Sequence, residues 1–272
     1  MMKTEELMER IHLPEEARKL MRTERISEKE YEIWREKFDK DIRQFVKEWK
    51  ELEDCYVRAL EFYLRLAADT YTEYQKRGYP DEVFDQTFYD ITIWCRECYR
   101  KHGVYGLDEL WWLGQSVKMN LFRLGRLQFE PIVTEKDMKG KELVVPAGTK
   151  VLNVHIPEGE PLGMEACQAS FCRAEEFFGE EYQAYVCDSW LLSPHLKEIL
   201  PETSNIIRFQ ELFEITDVGY PYPQAEQRIF GEVLEDKSQY PQETSLQRKA
   251  KEYVLSGRDL GIGAGVFLIH GR

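Results

Sequence analysis

Residues 151–179, with the sequence VLNVHIPEGEPLGMEACQASFCRAEEFFG, decide the fold. The apolar run at 151–156 predicts a buried strand, residues 157–163 predict a turn, and 164–178 follow a helical pattern. The first amides of a helix have no partner within the helix and lie at the positive end of its dipole. A strand, a turn and a helix in this order therefore present backbone N–H groups to an anion such as a phosphate.

Before residue 124 the apolar residues recur at helical spacing only. Ser27 and Glu30 have the spacing of a capping box and open a long helical region to about residue 76, with a break near 39–41. Further helices are predicted at 3–12, 14–22, 80–102 and 107–121. We therefore expect an all-helical N-terminal domain over residues 1–123.

At Leu124 the pattern changes to alternation, because Leu127 and Phe129 are separated by polar residues as in a half-buried strand. Further strands are predicted at 182–190, 211–218 and in the final GAGVFLI, with helices between them at 204–210, 224–232 and 245–255. The predicted fold class is α+β, in which the helical domain precedes a mixed α/β domain over residues 124–272.

Composition narrows the classes of partner. The chain has 272 residues, of which 43% are hydrophobic, and a formal net charge of −13, which argues against general binding to nucleic acid. The sequence shows neither a bilayer-length apolar run nor the apolar core of a signal peptide, so we expect a cytoplasmic protein that does not enter membranes. Six cysteines lie within apolar patterns and are predicted to be reduced thiols.

Polar residues recur at alternate positions of the predicted strands. The rows are Arg126, Gln128 and Glu130; Asn153 and His155; either Cys187 and Ser189 or Asp188; and Glu214 with Thr216. If these rows share one side of the sheet, that side is a polar cleft; the alternative is a solvated face, which mixed sheets commonly have. Cys95, Cys98 and His102 share a helical face, but without an apparent fourth ligand they indicate a core stripe and not a zinc site.

The order of elements from Arg126 onward resembles the C-terminal core of GNAT-type acyl-CoA N-acyltransferases. The resemblance is carried by LNVHIPEGEPLGMEACQASFCRAEEFF, then YQAYVCDSWLL, then SNIIRFQELFEI. The whole chain resembles a bacterial acyltransferase-like group with a helical N-terminal and a GNAT-like C-terminal domain. This resemblance implies an enzyme that moves an acetyl or other acyl group from acyl-CoA, its co-substrate, to an amine of a small molecule or peptide.

The resemblance also implies where acyl-CoA would bind. Two strands separate to admit pantetheine, a backbone N–H of the first strand holds the thioester oxygen, and the loop and helix start hold the pyrophosphate. An asparagine before the last core strand touches the cofactor arm. The residues at the matching positions are Val154, Ile156, Gly159, Gly163, Met164, Glu165 and Asn205.

Acyl transfer to an amine requires a group that takes the amine's proton and an acid for the leaving thiolate. Glu130 and His155 are the candidate bases because both end apolar strands on the expected cleft side, and Asp188 is a third. Tyr185 is a candidate acid. Each also has a structural interpretation, since strand-end glutamates are commonly solvated and histidines within strands commonly hydrogen-bonded.

Two other functions compete with the enzyme. The superfamily's loop pattern of Arg or Gln, two residues, Gly, one residue, then Gly or Ala is absent from PEGEPLGME, which favours a non-catalytic GNAT-like module that binds a ligand or a partner. A structural or assembly protein built on the helical half would expose a large apolar patch on residues 27–77. Strands that stay fully paired at His155 and Tyr185 would leave pantetheine no room.

Overall fold

The structure, a computed structural model, describes residues 2–23 and 25–269. It divides into two units, the first running to Leu124 and including Pro157–Gly159, the second comprising Gly125–Ile156 and the residues from Glu160 onward. The first is helical up to a short terminal strand, and the second combines helices with a mixed sheet. The predicted α+β fold class is confirmed.

The first unit follows the predicted helices closely. Its elements are α1 (Thr4–Arg10), α2 (Glu15–Leu20), α3 (Glu28–Lys40), α4 (Ile42–Trp49), α5 (Cys55–Arg77), α6 (Asp81–His102), α7 (Leu110–Val117) and β1 (Phe122–Leu124). The predicted break between α3 and α4 is confirmed. Asp41 produces it, because its backbone is extended and its side chain accepts hydrogen bonds from the amides of Arg43 and Gln44.

The core of the first unit is aromatic. Phe62 of α5 packs against Trp49 and Phe45 of α4, with ring centroids 4.9 and 5.4 Å apart. Cys95 and Cys98 of α6 are fully buried, as expected of a core stripe, whereas His102, the third residue of that predicted stripe, is exposed. Burial raises the pKa of each thiol to about 12. Along residues 27–77 Ile33, at 47%, is the one large apolar residue with substantial exposure, so that segment does not carry the large apolar patch expected of an assembly protein.

The second unit is an α/β arrangement. Its elements are β2 (Leu127–Val133), β3 (Met138–Lys139), β4 (Val144–Val145), β5 (Lys150–His155), α8 (Met164–Phe178), β6 (Ala184–Ser189), α9 (Leu196–Ile199), α10 (Asn205–Gln210), β7 (Glu214–Gly219), α11 (Gln224–Phe230), α12 (Ser245–Leu255) and β8 (Ile262–Leu268). Its sheet runs in the order β2, β5, β6, β8, β7. β5 and β6 are parallel, whereas the other neighbours are antiparallel.

The sheet has two chemically different faces, because directly paired residues point to the same side. The packed face carries Phe129, Tyr185 and Phe267, which surround Phe171 of α8. The polar face carries Glu130, Asn153, His155 and Asp188. At the other end of the polar face, the β3–β4 hairpin covers an apolar cluster of Val145, Val151, Ala184, Val186 and Val266.

The hairpin is fixed to the sheet by a carboxylate. Glu214 Oε2 accepts hydrogen bonds from the amides of Glu142 (2.7 Å) and Leu143 (2.9 Å). The hairpin therefore covers one end of the polar face, while Glu130, His155 and Asp188 lie towards the other. Searched over residues 2–23 and 25–269, the chain contains no helix with the length and apolar character to cross a membrane.

Candidate functional site

β5 and β6 separate at their carboxyl ends. They pair at Val151–Ala184, Leu152–Tyr185 and Asn153–Val186, and within the described strands their pairing stops there. Each strand nevertheless continues beside its other neighbour, β5 with β2 as far as His155 and β6 with β8 as far as Ser189. Because the strands no longer satisfy each other's backbone groups beyond Asn153, a ligand with amides can hydrogen-bond between them.

Beside this separation, three polar side chains on β2 and β5 form one hydrogen-bonded group. His155 Nε2 lies 2.9 Å from Glu130 Oε2, and Asn153 Nδ2 donates to the same oxygen at 3.0 Å. The register places Glu130 opposite Asn153, so the antiparallel pairing brings the three side chains to one face. The Glu130 and His155 side chains are each about a quarter exposed, at 26% and 25%, so solvent and a ligand can reach them.

The group keeps Glu130 ionised. Burial by itself raises the pKa of Glu130, but the hydrogen bond and charge of His155 and the hydrogen bond of Asn153 outweigh it, so the pKa lies below its usual value. When the Nε2–H of a neutral histidine donates to a carboxylate, the lone pair of the ring is on Nδ1. The carboxylate then also stabilises the imidazolium that forms when the ring gains a proton. The Glu130–His155 pair is therefore suited to accept a proton.

Asp188 lies on the polar face of β6, across the separation from His155. The residue is exposed overall, but its carboxyl is partly desolvated. This desolvation and the negative charge of Asp217 raise the pKa of Asp188, whereas the positive charge of Lys136 lowers it by less. The alternation left open by the sequence is thereby decided, because Cys187 and Ser189 point to the opposite face. Cys187 is buried, and burial raises the pKa of its thiol, so it is a packed thiol.

Tyr185, the candidate acid, lies on the packed face of the sheet. It pairs with Leu152, so it belongs to the packed face and not to the face of His155. Its side chain is fully buried and its hydroxyl donates to the carbonyl of Phe171 at 3.1 Å. Burial raises its pKa. The candidate acid Tyr185 thus lies on the face opposite to His155, and its hydroxyl has a structural partner in the core.

The stretch from the end of β5 through the first turn of α8 contains most of the predicted cofactor residues. Val154 is buried opposite Phe129, and Ile156 follows the end of β5. Gly163 is the N-cap of α8, so Met164 and Glu165 form the first helical turn.

Gly159 and Asn205, also predicted to bind the cofactor, lie outside the first turn of α8. Gly159 has φ +102°, a conformation that favours glycine, with open space where a Cβ would be. Asn205 is exposed at the start of α10, a different element.

Arg126 shapes the turn before α8, a role that the sequence analysis missed. Its Nε donates to the carbonyl of Pro161 at 3.1 Å and its Nη2 to that of Glu160 at 2.7 Å. The backbone amide of Arg126 also donates to Ser170 Oγ at 2.8 Å, which ties α8 to the start of β2. These partners are backbone carbonyls and a small helix residue 34 to 44 positions away, so no local pattern identifies them.

Family models cover nearly the whole chain. The N-acyltransferase N-terminal domain matches residues 2–119, and the GNAT-like C-terminal domain matches residues 121–267. The chain therefore belongs to the GNAT-type N-acyltransferase family, as the element order of its C-terminal half indicated. No curated protein matches the sequence.

Solved acyltransferase structures share the fold. An acyltransferase in complex with CoA and 10C-teicoplanin is 28% identical, with a TM-score of 0.68; the match covers 79% of this chain and 66% of that one. An acyltransferase in complex with decanoyl-CoA and teicoplanin is 23% identical, with a TM-score of 0.75 and coverage of 98% and 87%. An acyltransferase in complex with decanoyl-CoA is 22% identical, with a TM-score of 0.77 and the same coverage.

Proposed function

We propose that this chain is an acyl-CoA-dependent N-acyltransferase that moves an acyl group from CoA to an amine. The observation that carries the proposal is the separation of β5 and β6 beyond Asn153 and Val186. Pantetheine contains two amides, and an extended chain with amides fits between strands that have stopped pairing. Fully paired strands would have left it no room.

Acyl-CoA fits the residues around the separation as a co-substrate. Val154 and Ile156 border the position of the thioester, where a backbone N–H holds the carbonyl oxygen. The first amides of α8, beginning at Met164 behind Gly163, face the pyrophosphate, and Gly159 and Glu165 flank that position in the sequence. The structural relatives in complex with CoA, octanoyl-CoA and decanoyl-CoA support this choice of donor.

The Glu130–His155 pair takes the proton of the attacking amine. The amine nitrogen forms a bond to the thioester carbonyl carbon, the carbon–sulfur bond breaks, and CoA leaves as the thiolate. Glu130 holds His155 through Nε2, so the positive charge that the ring gains is stabilised by the ionised carboxylate. Asn153 donates a second hydrogen bond to the Glu130 carboxylate and so holds it in place. Asp188, on the other strand, is the alternative base.

The acceptor is an amine of a small molecule or peptide, and two of the structural relatives are complexes with teicoplanin or its 10C form. The length of the acyl chain is the second variable of the reaction. The acyl-CoA donors to be compared therefore extend from acetyl-CoA to octanoyl-CoA and decanoyl-CoA. A preference within the series measures how much acyl length the protein accommodates beyond the thioester.

The decisive experiment combines binding with turnover. Isothermal titration calorimetry with CoA, acetyl-CoA, octanoyl-CoA and decanoyl-CoA tests the donor, and release of the CoA thiol in the presence of a panel of amines tests transfer. We expect binding of at least one acyl-CoA, amine-dependent thiol release, and loss of release in His155→Gln with unchanged binding. No binding of any donor at millimolar concentration would overturn the proposal.

A second candidate is a non-catalytic GNAT-like module that binds a ligand or partner without transfer. The turn favours it, because the loop lacks the superfamily's glycine pattern and places the carboxylates of Glu160 and Glu165 beside the helix start, where an anion would have to arrive. The same experiment separates the two functions. If the chain binds CoA but releases no CoA thiol with any amine, its function is that of the non-catalytic binding module.

A further inference from the structure

Arg126 is a buried arginine whose guanidinium contacts the turn before α8. The residue is 6% exposed, and an arginine keeps its positive charge throughout the physiological pH range. Its Nε and Nη2 donate to the carbonyls of Pro161 (3.1 Å) and Glu160 (2.7 Å). Desolvation of a charge costs free energy, so an arginine buried against a loop indicates that the loop depends on its hydrogen bonds or its charge.

The segment that Arg126 contacts has no basic residue of its own. Residues 156–166, with the sequence IPEGEPLGMEA, contain three glutamates and neither lysine nor arginine. A diphosphate is held by positive charge together with backbone N–H groups. Arg126 lies 34 and 35 positions before the residues whose carbonyls it contacts, and it brings to this segment a positive charge that the segment's own sequence lacks.

The same two hydrogen bonds set the orientation of the turn. Gly163, the N-cap of α8, donates its N–H to the carbonyl of Pro161 as well, at 3.0 Å. Since the C=O and N–H of a trans peptide point in opposite directions, the N–H of Leu162 points away from the guanidinium. The first hydrogen bond within α8 runs from the amide of Cys167 to the carbonyl of Gly163, so the amides of residues 164–166 precede it.

The charge of Arg126 reaches the first turns of α8. Burial raises the pKa of the Cys167 thiol to about 11, and the positive charge of Arg126 opposes that rise. Cys167 is fully buried one turn into the helix. The guanidinium and the positive end of the helix dipole therefore act on the same place, and their fields add.

The backbone around Arg126 is fixed to the same helix. The amides of Arg126 (2.8 Å) and Leu127 (3.3 Å) both donate to Ser170 Oγ. Ser170 in turn donates to the carbonyl of Ala166 at 2.8 Å. Gly125 has φ +84°, and a Cβ there would lie 3.0 Å from Ser170 Oγ, so the approach is close. The start of β2 is thus seated on α8, and the Arg126 side chain meets the turn in a fixed position.

We propose that Arg126 is a positioning residue for the diphosphate of acyl-CoA, because it holds the turn before α8 and supplies positive charge beside the first amides of that helix. This assignment rests on the proposed function, which supplies the acyl-CoA. The amides of the helix start contact the phosphate oxygens, and Arg126 acts through them. The residue that makes this glutamate-rich turn acceptable to an anion therefore lies at the start of β2, outside the turn.

Three thioesters that carry the same acyl group, the one accepted by the wild type, test the assignment. Acyl-CoA has the diphosphate and the ribose phosphate, acyl-dephospho-CoA has the diphosphate alone, and acyl-pantetheine has no phosphate. Thiol release with an accepted amine gives kcat/KM for each, from the initial slope. We expect Arg126→Gln to lower kcat/KM about tenfold for both phosphate-containing donors, through KM and not kcat, and to leave that of acyl-pantetheine unchanged.

Two further variants make the comparison specific. Arg173 is exposed on the third turn of α8, and Arg173→Gln removes one positive charge from the same helix. It should change each kcat/KM by less than about twofold, since an exposed charge is screened by solvent. Arg126→Lys keeps the charge without the guanidinium fork, so we expect an intermediate loss for the two phosphate-containing donors. The melting temperature of each variant shows whether it is folded.

The outcomes separate this assignment from the function on which it rests. A wild type that neither binds nor uses acyl-CoA overturns the proposed function and the role of Arg126 with it. If the wild type transfers acyl groups but Arg126→Gln lowers kcat/KM equally for all three donors, or for none, the role of Arg126 alone is overturned, because a purely structural residue affects every donor alike.

Two other results would also contradict the role of Arg126. A loss confined to acyl-CoA, with acyl-dephospho-CoA unaffected, would mean that the charge acts on the ribose phosphate. A wild type that uses acyl-pantetheine as efficiently as acyl-CoA would mean that the diphosphate is not held at all. If Arg126→Gln does not fold, Arg126→Lys decides by the same criteria.

Discussion

On one face of the sheet Phe129, Tyr185 and Phe267 close around Phe171 of α8, and on the other Glu130, Asn153 and His155 share hydrogen bonds beside the separated strand ends. Neighbouring residues of the same strands supply both faces. A shift of one position along a strand therefore converts a core residue into a site residue. The two faces should respond oppositely to substitution, one in stability and the other in transfer.

The largest effect is expected on the packed face, from Phe171→Ala. The Phe171 ring lies 4.7 Å from Tyr185, 5.0 Å from Phe267 and 5.9 Å from Phe129, so its removal leaves a cavity among three aromatic rings. We expect a loss of about 3–5 kcal/mol in the free energy of unfolding, measured by urea denaturation. Cys172→Ala, at the exposed neighbouring position, is the control and should change it by less than about 0.5 kcal/mol.

A loss below about 1 kcal/mol in Phe171→Ala would mean that α8 does not pack on this face as described. The contrast between the two faces would then have no energetic basis. The control makes the comparison specific, because both substitutions shorten a side chain at the same level of the same helix.

On the polar face, His155→Gln should reduce transfer and leave stability nearly unchanged. Removal of a positioned base costs about a hundredfold in kcat, which corresponds to about 2.7 kcal/mol in the activation free energy. Thiol release under saturating donor measures it, and Asp188→Asn is assayed in parallel. A greater loss in Asp188→Asn than in His155→Gln would place the base on β6 instead of β5.

Helices with local signals were predictable from the sequence to the residue. α8 begins after Gly163 and ends before Gly179, and α12 begins after Thr244, whose side chain and that of Gln247 complete a capping box. The faces of β6 were not predictable in this way. In its sequence AYVCDS, Tyr185 and Cys187 lie on one face of the strand and Asp188 on the other, and each face therefore offers a group that could serve a site. Only the pairing with β5 and β8 shows that Tyr185 points into the core and Asp188 to the polar face.

The site was predictable in part. Alternation along β2 and β5 predicted that Glu130 and His155 share a face, and the structure places them within hydrogen-bonding distance. Asn153 was seen in the same row, but its bond to Glu130 depends on the strand register. The hydrogen bonds of Arg126 to the turn before α8 join residues 34 and 35 positions apart, and the sequence carries no spacing signal for them.

Tyr185→Phe sharpens the comparison, because it removes only the hydroxyl that donates to the carbonyl of Phe171. The variant should lose about 1 kcal/mol in the free energy of unfolding, the usual contribution of a buried hydrogen bond, and keep wild-type kcat. Urea denaturation and thiol release measure the two quantities on one preparation. A tenfold fall in kcat without loss of stability would return Tyr185 to the chemistry and contradict its placement in the core.

The smallest expected effect is a pH dependence of stability that originates in Glu130. Its pKa in the folded protein lies below the ordinary value of 4.5, since the bonds from His155 and Asn153 outweigh the effect of burial. A group with a depressed folded pKa stabilises the fold above its unfolded pKa, and this stabilisation is lost as the pH falls through the folded pKa.

In Glu130→Gln this contribution is absent at every pH. The difference in unfolding free energy between wild type and variant should therefore be greatest near neutral pH and shrink below about pH 4.5. Urea denaturation at a series of pH values measures it, with Asp188→Asn as the comparison on the other strand. Because the folded pKa of Asp188 is raised, its contribution has the opposite sign, and the wild type should gain stability relative to Asp188→Asn as the pH falls. A Glu130→Gln difference that stayed constant with pH would contradict an ionised Glu130 held by His155.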